Sequence, residues 1–144
     1  MSLEVQQIRR RVQSRLLELK RVAGVRRERV AAAEQAYAIF LSEVAVPVFT
    51  TVAQTLTAEN HPYKVITPGN TVRLVSERSN RTFVDLRLDT TLPTPAVVAE
   101  VGRERGSRVT ADDHLVAEGV AIEATTGEHV LEFLLETMVD LIER

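Results

Sequence analysis

Cysteine and tryptophan are absent from this chain of 144 residues, and the aromatic side chains number only six, two Tyr and four Phe. The lack of cysteine excludes disulfides, thiolate metal sites and cysteine nucleophiles together. The shortage of aromatic rings is unfavourable for stacking on single-stranded nucleic acid. These absences remove several classes of enzyme and binding protein before any pattern is considered.

Recognisable catalytic and targeting signals are missing as well. The sequence has no phosphate-binding GxxxxGK[ST] loop, no GxGxxG, no GxSxG and no HExxH. The first residues, MSLEVQQIRRRVQSR, are interrupted by charges and lack the apolar core of a signal peptide. No run approaches eighteen uncharged apolar residues. We therefore expect a cytoplasmic protein with no membrane association, no cofactor and no enzymatic activity; the Arg-rich composition suggests a bacterial source.

Charge is distributed unevenly along the chain. Residues 1–30 hold nine basic and three acidic groups, a net of +6, whereas the remaining 114 residues hold nine basic and seventeen acidic groups, a net of −8. A basic segment on an acidic body is typical either of a polyanionic partner or of complementary contacts between subunits.

The first third of the sequence has helical periodicity. At 100° per residue, its apolar side chains fall on one stripe about 120° wide. The stripe consists of Val5, Ile8, Val12, Leu16, Leu19, Ala23, Val30, Ala33, Tyr37, Phe40, Leu41, Val44 and Val48. This pattern predicts a long amphipathic helix from Leu3 to about Leu56, with a kink or a new start near Pro47.

The middle of the chain predicts an antiparallel sheet of five strands. Short turn signals at Pro68-Gly69-Asn70 and Arg78-Ser79-Asn80 favour a meander of the first three. Charged residues that alternate along the second and third strands predict an exposed cross-strand ladder, with Arg73 and Arg87 among them. The expected strands are 63–67, 71–77, 81–89, 96–105 and 114–124, with a loop over 106–113.

A C-terminal helix is predicted after Thr125, because Thr125-x-x-Glu128 has the form of a capping box ahead of an apolar run. The fold class is therefore α+β: a long N-terminal helix, an antiparallel meander of about five strands and a C-terminal helix packed on the sheet. We expect two units, a helical arm over residues 1–59 and a small α+β body over 60–144.

Size makes the arm unusual. A helix over residues 3–46 would be about 65 Å long at ~1.5 Å per residue, whereas a body of ~85 residues has a radius of gyration near ~12 Å. Five large side chains in its first half would lose on the order of 8–15 kcal/mol if left in water. The stripe therefore needs a partner, or the helix must fold back at Gly24 into a hairpin. We predict the simpler outcome, self-association as a dimer or higher oligomer, through an interface that comprises Val5, Ile8, Val12, Leu16, Leu19, Val30 and Tyr37.

Two charged features suggest how helices would pair. Arg15 and Arg26 interrupt the apolar stripe, and carboxylates recur every four residues on the last helix. Like charges at this spacing repel, so a basic partner would relieve the strain. The sequence suggests pairing of Arg15 and Arg26 with Glu128, Glu132 and Glu136 across helices, although both arginines could also extend to water along the edge of the stripe.

The function that these patterns favour is a non-enzymatic protein-interaction or assembly module. The alternative is a nucleic-acid-associated dimer that uses the basic arm. The order helix, sheet, helix loosely resembles the small YbaB-type nucleoid-associated proteins, whose paired chains would imply DNA binding, but five strands exceed that family's usual three. The arginines of the arm lie all around the helix rather than on one side, which favours protein contacts.

Overall fold

The computed structural model describes residues 2–142 and has the predicted α+β architecture. Helix α1 (Val5–Phe40) passes through a π-helical turn (Leu41–Ala45) into helix α2 (Val46–Ala58). Five strands follow, β1 (Tyr63–Ile66), β2 (Val72–Ser76), β3 (Phe83–Asp89), β4 (Ala96–Arg105) and β5 (Arg108–Leu115). A 3-10 turn (Ile122–Ala124) then leads to helix α3 (Gly127–Leu141).

The π-helical turn accommodates the proline. Pro47 has no N–H to donate, and its ring would collide with the carbonyl four residues earlier in a regular α-helix. The backbone widens by one residue just before it, so that the N–H of Val46 donates to the carbonyl of Leu41. The helix thus continues past Pro47 as α2, with the irregularity that the sequence predicted near this proline.

The sheet is a simple meander in which every strand pairs antiparallel with the next, in the order β1-β2-β3-β4-β5. Side chains therefore alternate between an inner face and an outer face. The inner face is apolar, and Val72, Leu74, Val84, Leu86 and Ala99 on it are fully buried. In β3, Val84 and Leu86 face inward, whereas Asp85 and Arg87 face outward.

The prediction for the fifth strand was wrong. The segment expected to be a loop, residues 106–113, forms most of β5, and residues 116–124 contain a 3-10 turn instead of a strand. β4 and β5 are joined by a two-residue turn in which Gly106 has φ +62°, a conformation that glycine adopts without strain. The strand escaped notice because its apolar alternation is weak: Val109, Ala111 and Leu115 share one face, but Asp113 interrupts them.

The cap of α3 lies one residue beyond its predicted position. The N–H of Thr126 donates to Nδ1 of His129 over 2.9 Å, and the hydroxyl of Thr126 accepts from the His129 N–H over 3.4 Å. The capping box is therefore Thr126 with His129 rather than Thr125 with Glu128. Thr125 is buried, and its hydroxyl donates to the carbonyl of Ala121.

The hydrophobic core extends across the expected boundary at residue 59. Phe49 of α2 and Leu134 of α3 are fully buried in the same cluster as the inner face of the sheet. The second half of α1 contributes Tyr37 and Phe40 to that cluster, each exposed by less than 5%. The second half of α1 and all of α2 therefore pack in one core with the sheet and α3.

Candidate functional site

Helix α1 leaves the body near Arg26. The Nη2 of Arg26 donates to the carbonyl oxygen of Thr90 over 2.6 Å. The turn that presents this carbonyl is held by Asp89, which accepts from the N–H and the hydroxyl of Thr91 over 2.8 and 2.6 Å. Those hydrogen bonds lower the pKa of Asp89. N-terminal to this contact, the helix projects from the body, and residues 5–25 are named the projecting helix below.

The projecting helix presents its apolar stripe to solvent. Five of the seven residues assigned to an oligomer interface lie on it, and all five are about half exposed or more: Val5, Ile8, Val12, Leu16 and Leu19. At ~1.5 Å per residue, its 21 residues extend about 31 Å from the body. In the part of the chain that the structure describes, these five side chains have no place in the core.

Val30 and Tyr37 occupy different surroundings. Val30 is half-buried where α1 meets the body. Tyr37 is only 4% exposed, and its hydroxyl donates to the carbonyl of Asn70 over 2.6 Å. Burial raises the pKa of the Tyr37 phenol well above its usual value. In the single chain, Tyr37 is thus enclosed by the core and does not lie on the exposed part of the stripe.

The cations of the projecting helix are exposed and mostly unpaired. Arg21 forms an ion pair with Glu18 at 2.8 Å, which lowers the pKa of Glu18 and raises that of Arg21. Within residues 2–142, no ion pair involves Arg9, Arg10, Arg11, Arg15 or Lys20. The segment thus carries a surplus of solvated positive charge.

The acidic ridge of α3 consists of Glu128, Glu132, Glu136 and Asp140, and only Asp140 among them forms an ion pair within the chain as the structure describes it. Asp140 pairs with Arg103 of β4, and Arg105 lies at 4.0 Å from the same carboxylate oxygen. The three glutamates are exposed and form no ion pair with any other described residue. Between them stand Leu135 and Val139, which are 52% and 53% exposed.

The pairing suggested for Arg15 and Arg26 does not occur within one chain. Arg26 instead holds the base of the projecting helix at Thr90, and Arg15 points to solvent. Sequence reasoning also missed the pair of Arg103 with Asp140. The signal for it was present, because Arg103 continues the inner-face positions Val97, Ala99 and Val101 of β4 and so must meet the helix that covers that face.

The outer face of the sheet carries the predicted charge ladder. Arg73 and Asp85 stand opposite each other in the β2–β3 register and pair at 3.3 Å, while the Arg73 guanidinium lies 4.5 Å from the centre of the Phe83 ring. Arg87 pairs at 3.0 Å with Asp113 of β5, and this hydrogen bond raises the pKa of Arg87. Arg73 thus pairs with a carboxylate on the adjacent strand, whereas Arg87 reaches across β4 to a carboxylate on β5.

The compact group Asp112-Asp113-His114 is separated by strand alternation. Asp113 lies on the outer face with Arg87, whereas His114 lies on the inner face near Phe133 of α3, with a ring separation of 6.4 Å. No group of three His, Asp or Glu side chains that could hold a metal ion occurs among residues 2–142. Asp113 and His114, adjacent in sequence, therefore do not converge on one site.

One stretch is apolar enough to be compared with a membrane span. The continuous helix Val5–Ala58 contains an 18-residue window with a mean hydropathy of 1.6, of which 33% is buried in the fold. Core helices of water-soluble proteins meet the same criterion. Phe49 and Val52 of α2 are among the side chains buried in the core.

Comparison with protein-family models, with curated proteins and with solved structures gives no match.

Proposed function

We propose that this chain is a non-enzymatic interaction module that self-associates through its projecting helix and acts in assembly. The observation that carries the proposal is the exposed stripe of Val5, Ile8, Val12, Leu16 and Leu19 on a helix that leaves the body. Fully burying such side chains contributes about 1.5–3 kcal/mol each. A partner helix is the simplest surface that covers them all at once.

The same helix needs a partner for its own stability. Most helical stability in proteins comes from tertiary packing of one face, and the apolar face of the projecting helix is exposed in the single chain. The projecting helix contains Gly24 near its base, and a glycine inside a helix costs ~1 kcal/mol relative to alanine. Contact with another chain would supply the packing that the body does not provide.

The mass of the purified protein in solution tests this proposal. We expect light scattering at tens of micromolar to give at least twice the 16.0 kDa of a single chain. Dilution should lower the mass, because association depends on protein concentration. A single species of 16.0 kDa over the whole range would contradict self-association.

Nucleic-acid binding is the second candidate, because the exposed cations of the projecting helix could neutralise phosphates. The positions of these cations around the helix are less favourable for nucleic-acid binding. On a wheel of 100° per residue, Arg9, Arg10 and Arg11 point in three different directions, so one groove could not receive them together.

We therefore expect generic duplex DNA to bind weakly or not at all, and Arg9→Ala, Arg10→Ala and Arg11→Ala combined to leave that result unchanged. Fluorescence anisotropy with labelled DNA at several salt concentrations measures this. Tight binding with a steep salt dependence that disappears in the triple variant would place nucleic-acid binding first.

A further inference from the structure

Two projecting helices are poorly suited to pair with each other. Basic side chains border the apolar stripe on both sides, Arg9 and Lys20 on one and Arg11 on the other. Arg15 lies within the stripe. Glu4 and Glu18 are the only acidic residues up to Arg26, and Glu18 already pairs with Arg21. Two copies in contact would align positive charges along both edges of the seam, and such flanking charges determine partner choice in helix pairs.

The complementary surface is present on the same chain, on the outward face of α3. It consists of Glu128, Glu132, Leu135, Glu136 and Val139. These residues span a sector of about 100° at ~100° per residue. The buried side of α3, which includes Val130 and Leu134, points in the opposite direction. The outward face thus combines two exposed apolar side chains with three carboxylates that form no ion pair among residues 2–142.

We propose that the projecting helix of one copy docks on the outward face of α3 of a second copy. The inference rests on the proposed function and names the surface that receives the helix. Stripe residues such as Leu16 and Leu19 cover Leu135 and Val139, and the bordering arginines face the glutamates. This contact relieves the repulsion within both helices and joins the positive segment to the negative body.

The dimensions of the two helices agree with this arrangement. At ~1.5 Å per residue, α3 is about 22 Å long and the projecting helix about 31 Å. The α3 surface therefore accommodates some two thirds of the exposed stripe. On both helices, side chains four residues apart are neighbours along the axis. The glutamates of α3 repeat every four residues, so they can face side chains that repeat every four residues on the projecting helix.

A charge exchange between two variants tests the contact. One variant carries Glu128→Lys, Glu132→Lys and Glu136→Lys, and the other carries Arg9→Glu, Arg11→Glu and Arg15→Glu. Each variant alone should self-associate with an affinity about tenfold or more below that of wild type, because like charges then face each other. Mixed 1:1, the two should associate, since each projecting helix again meets an α3 of opposite charge.

A matched control separates position from net charge. Glu59, Glu77 and Glu118 are exposed acidic residues outside α3, and changing all three to Lys alters the net charge by the same amount. This control should keep the wild-type mass. Raising the salt concentration should weaken wild-type association, because screening reduces attraction between opposite charges. Circular dichroism verifies folding, and a Glu→Gln triple variant replaces the Lys variant if the latter does not fold.

Several results would overturn the inference. If wild type associates and both variants keep its mass, the projecting helices pair by apolar contact alone. Association that strengthens with salt would likewise indicate contact between two basic helices, because salt screens the repulsion between like charges. Loss of association in the Glu59, Glu77 and Glu118 control would show that net charge, not α3, is responsible. A wild-type chain that is monomeric throughout would overturn the proposed function itself.

Discussion

Replacing Leu19 with Asp should abolish self-association, whereas replacing Leu17 with Asp should leave it intact. Both leucines are exposed, Leu19 by 48% and Leu17 by 69%, so neither change removes a core contact of the single chain. Leu19 lies in the apolar stripe, and Leu17 lies about 160° away around the helix. An Asp at position 19 would place an unpaired charge in the buried seam, and an ionised carboxylate without a partner is strongly disfavoured there.

The measurement is the light-scattering mass of the two variants beside wild type, with circular dichroism to show that both remain helical. We expect the Leu19→Asp chain at 16.0 kDa and the Leu17→Asp chain at the wild-type mass. Equal masses for the two variants would mean that the stripe is not the interface. Dissociation by Leu17→Asp alone would move the interface to the other side of the helix.

The features that could be predicted from the sequence are those with strong local periodicity. The stripe from Val5 to Val48 repeats at the interval of a helix, and β3 alternates at the interval of a strand. The meander of β1 to β3 followed from turn residues at Gly69 and Asn70, and the structure pairs these strands as neighbours. In each case the determinant lies within a few residues of the element that it specifies.

The features that were missed depend on contacts between distant segments. Periodicity identifies the apolar side of α1 but not what covers it, so Tyr37 and Leu19 looked equivalent although one is buried by the sheet and the other is exposed. β5 is exposed along almost its whole length and is defined by its pairing with β4. Arg26 and Thr90 are 64 residues apart, and their hydrogen bond is visible only in three dimensions.

Position along α1 therefore matters as much as the side of the helix. The apolar stripe runs from exposed to buried surroundings, and the change occurs between Arg26 and Ala33. N-terminal to this change, the stripe is exposed and is the surface that we propose for self-association; C-terminal to it, the same stripe is part of the core. A boundary for the body near residue 26 follows from this, and two truncations distinguish it from the boundary at residue 59 that the sequence suggested.

Deleting residues 2–25 should give a monomeric body with nearly unchanged thermal stability, whereas deleting residues 2–59 should abolish cooperative folding. The shorter deletion keeps Arg26 and its hydrogen bond to Thr90 and removes no member of the core. The longer deletion removes a large part of the core, namely Tyr37, Phe40, Ala45, Phe49, Val52, Ala53 and Leu56.

The size of the second effect follows from the cost of truncating core side chains. A change of Phe to Ala costs about 3–5 kcal/mol, while the whole stability of a domain is about 5–15 kcal/mol. Removal of Phe40 and Phe49 alone would consume most of it. Circular dichroism during heating measures both deletions. A cooperative transition in the chain that begins at residue 60 would show that the sheet and α3 fold without the helix, and loss of the transition in the chain that lacks residues 2–25 would show that the projecting helix supports the body.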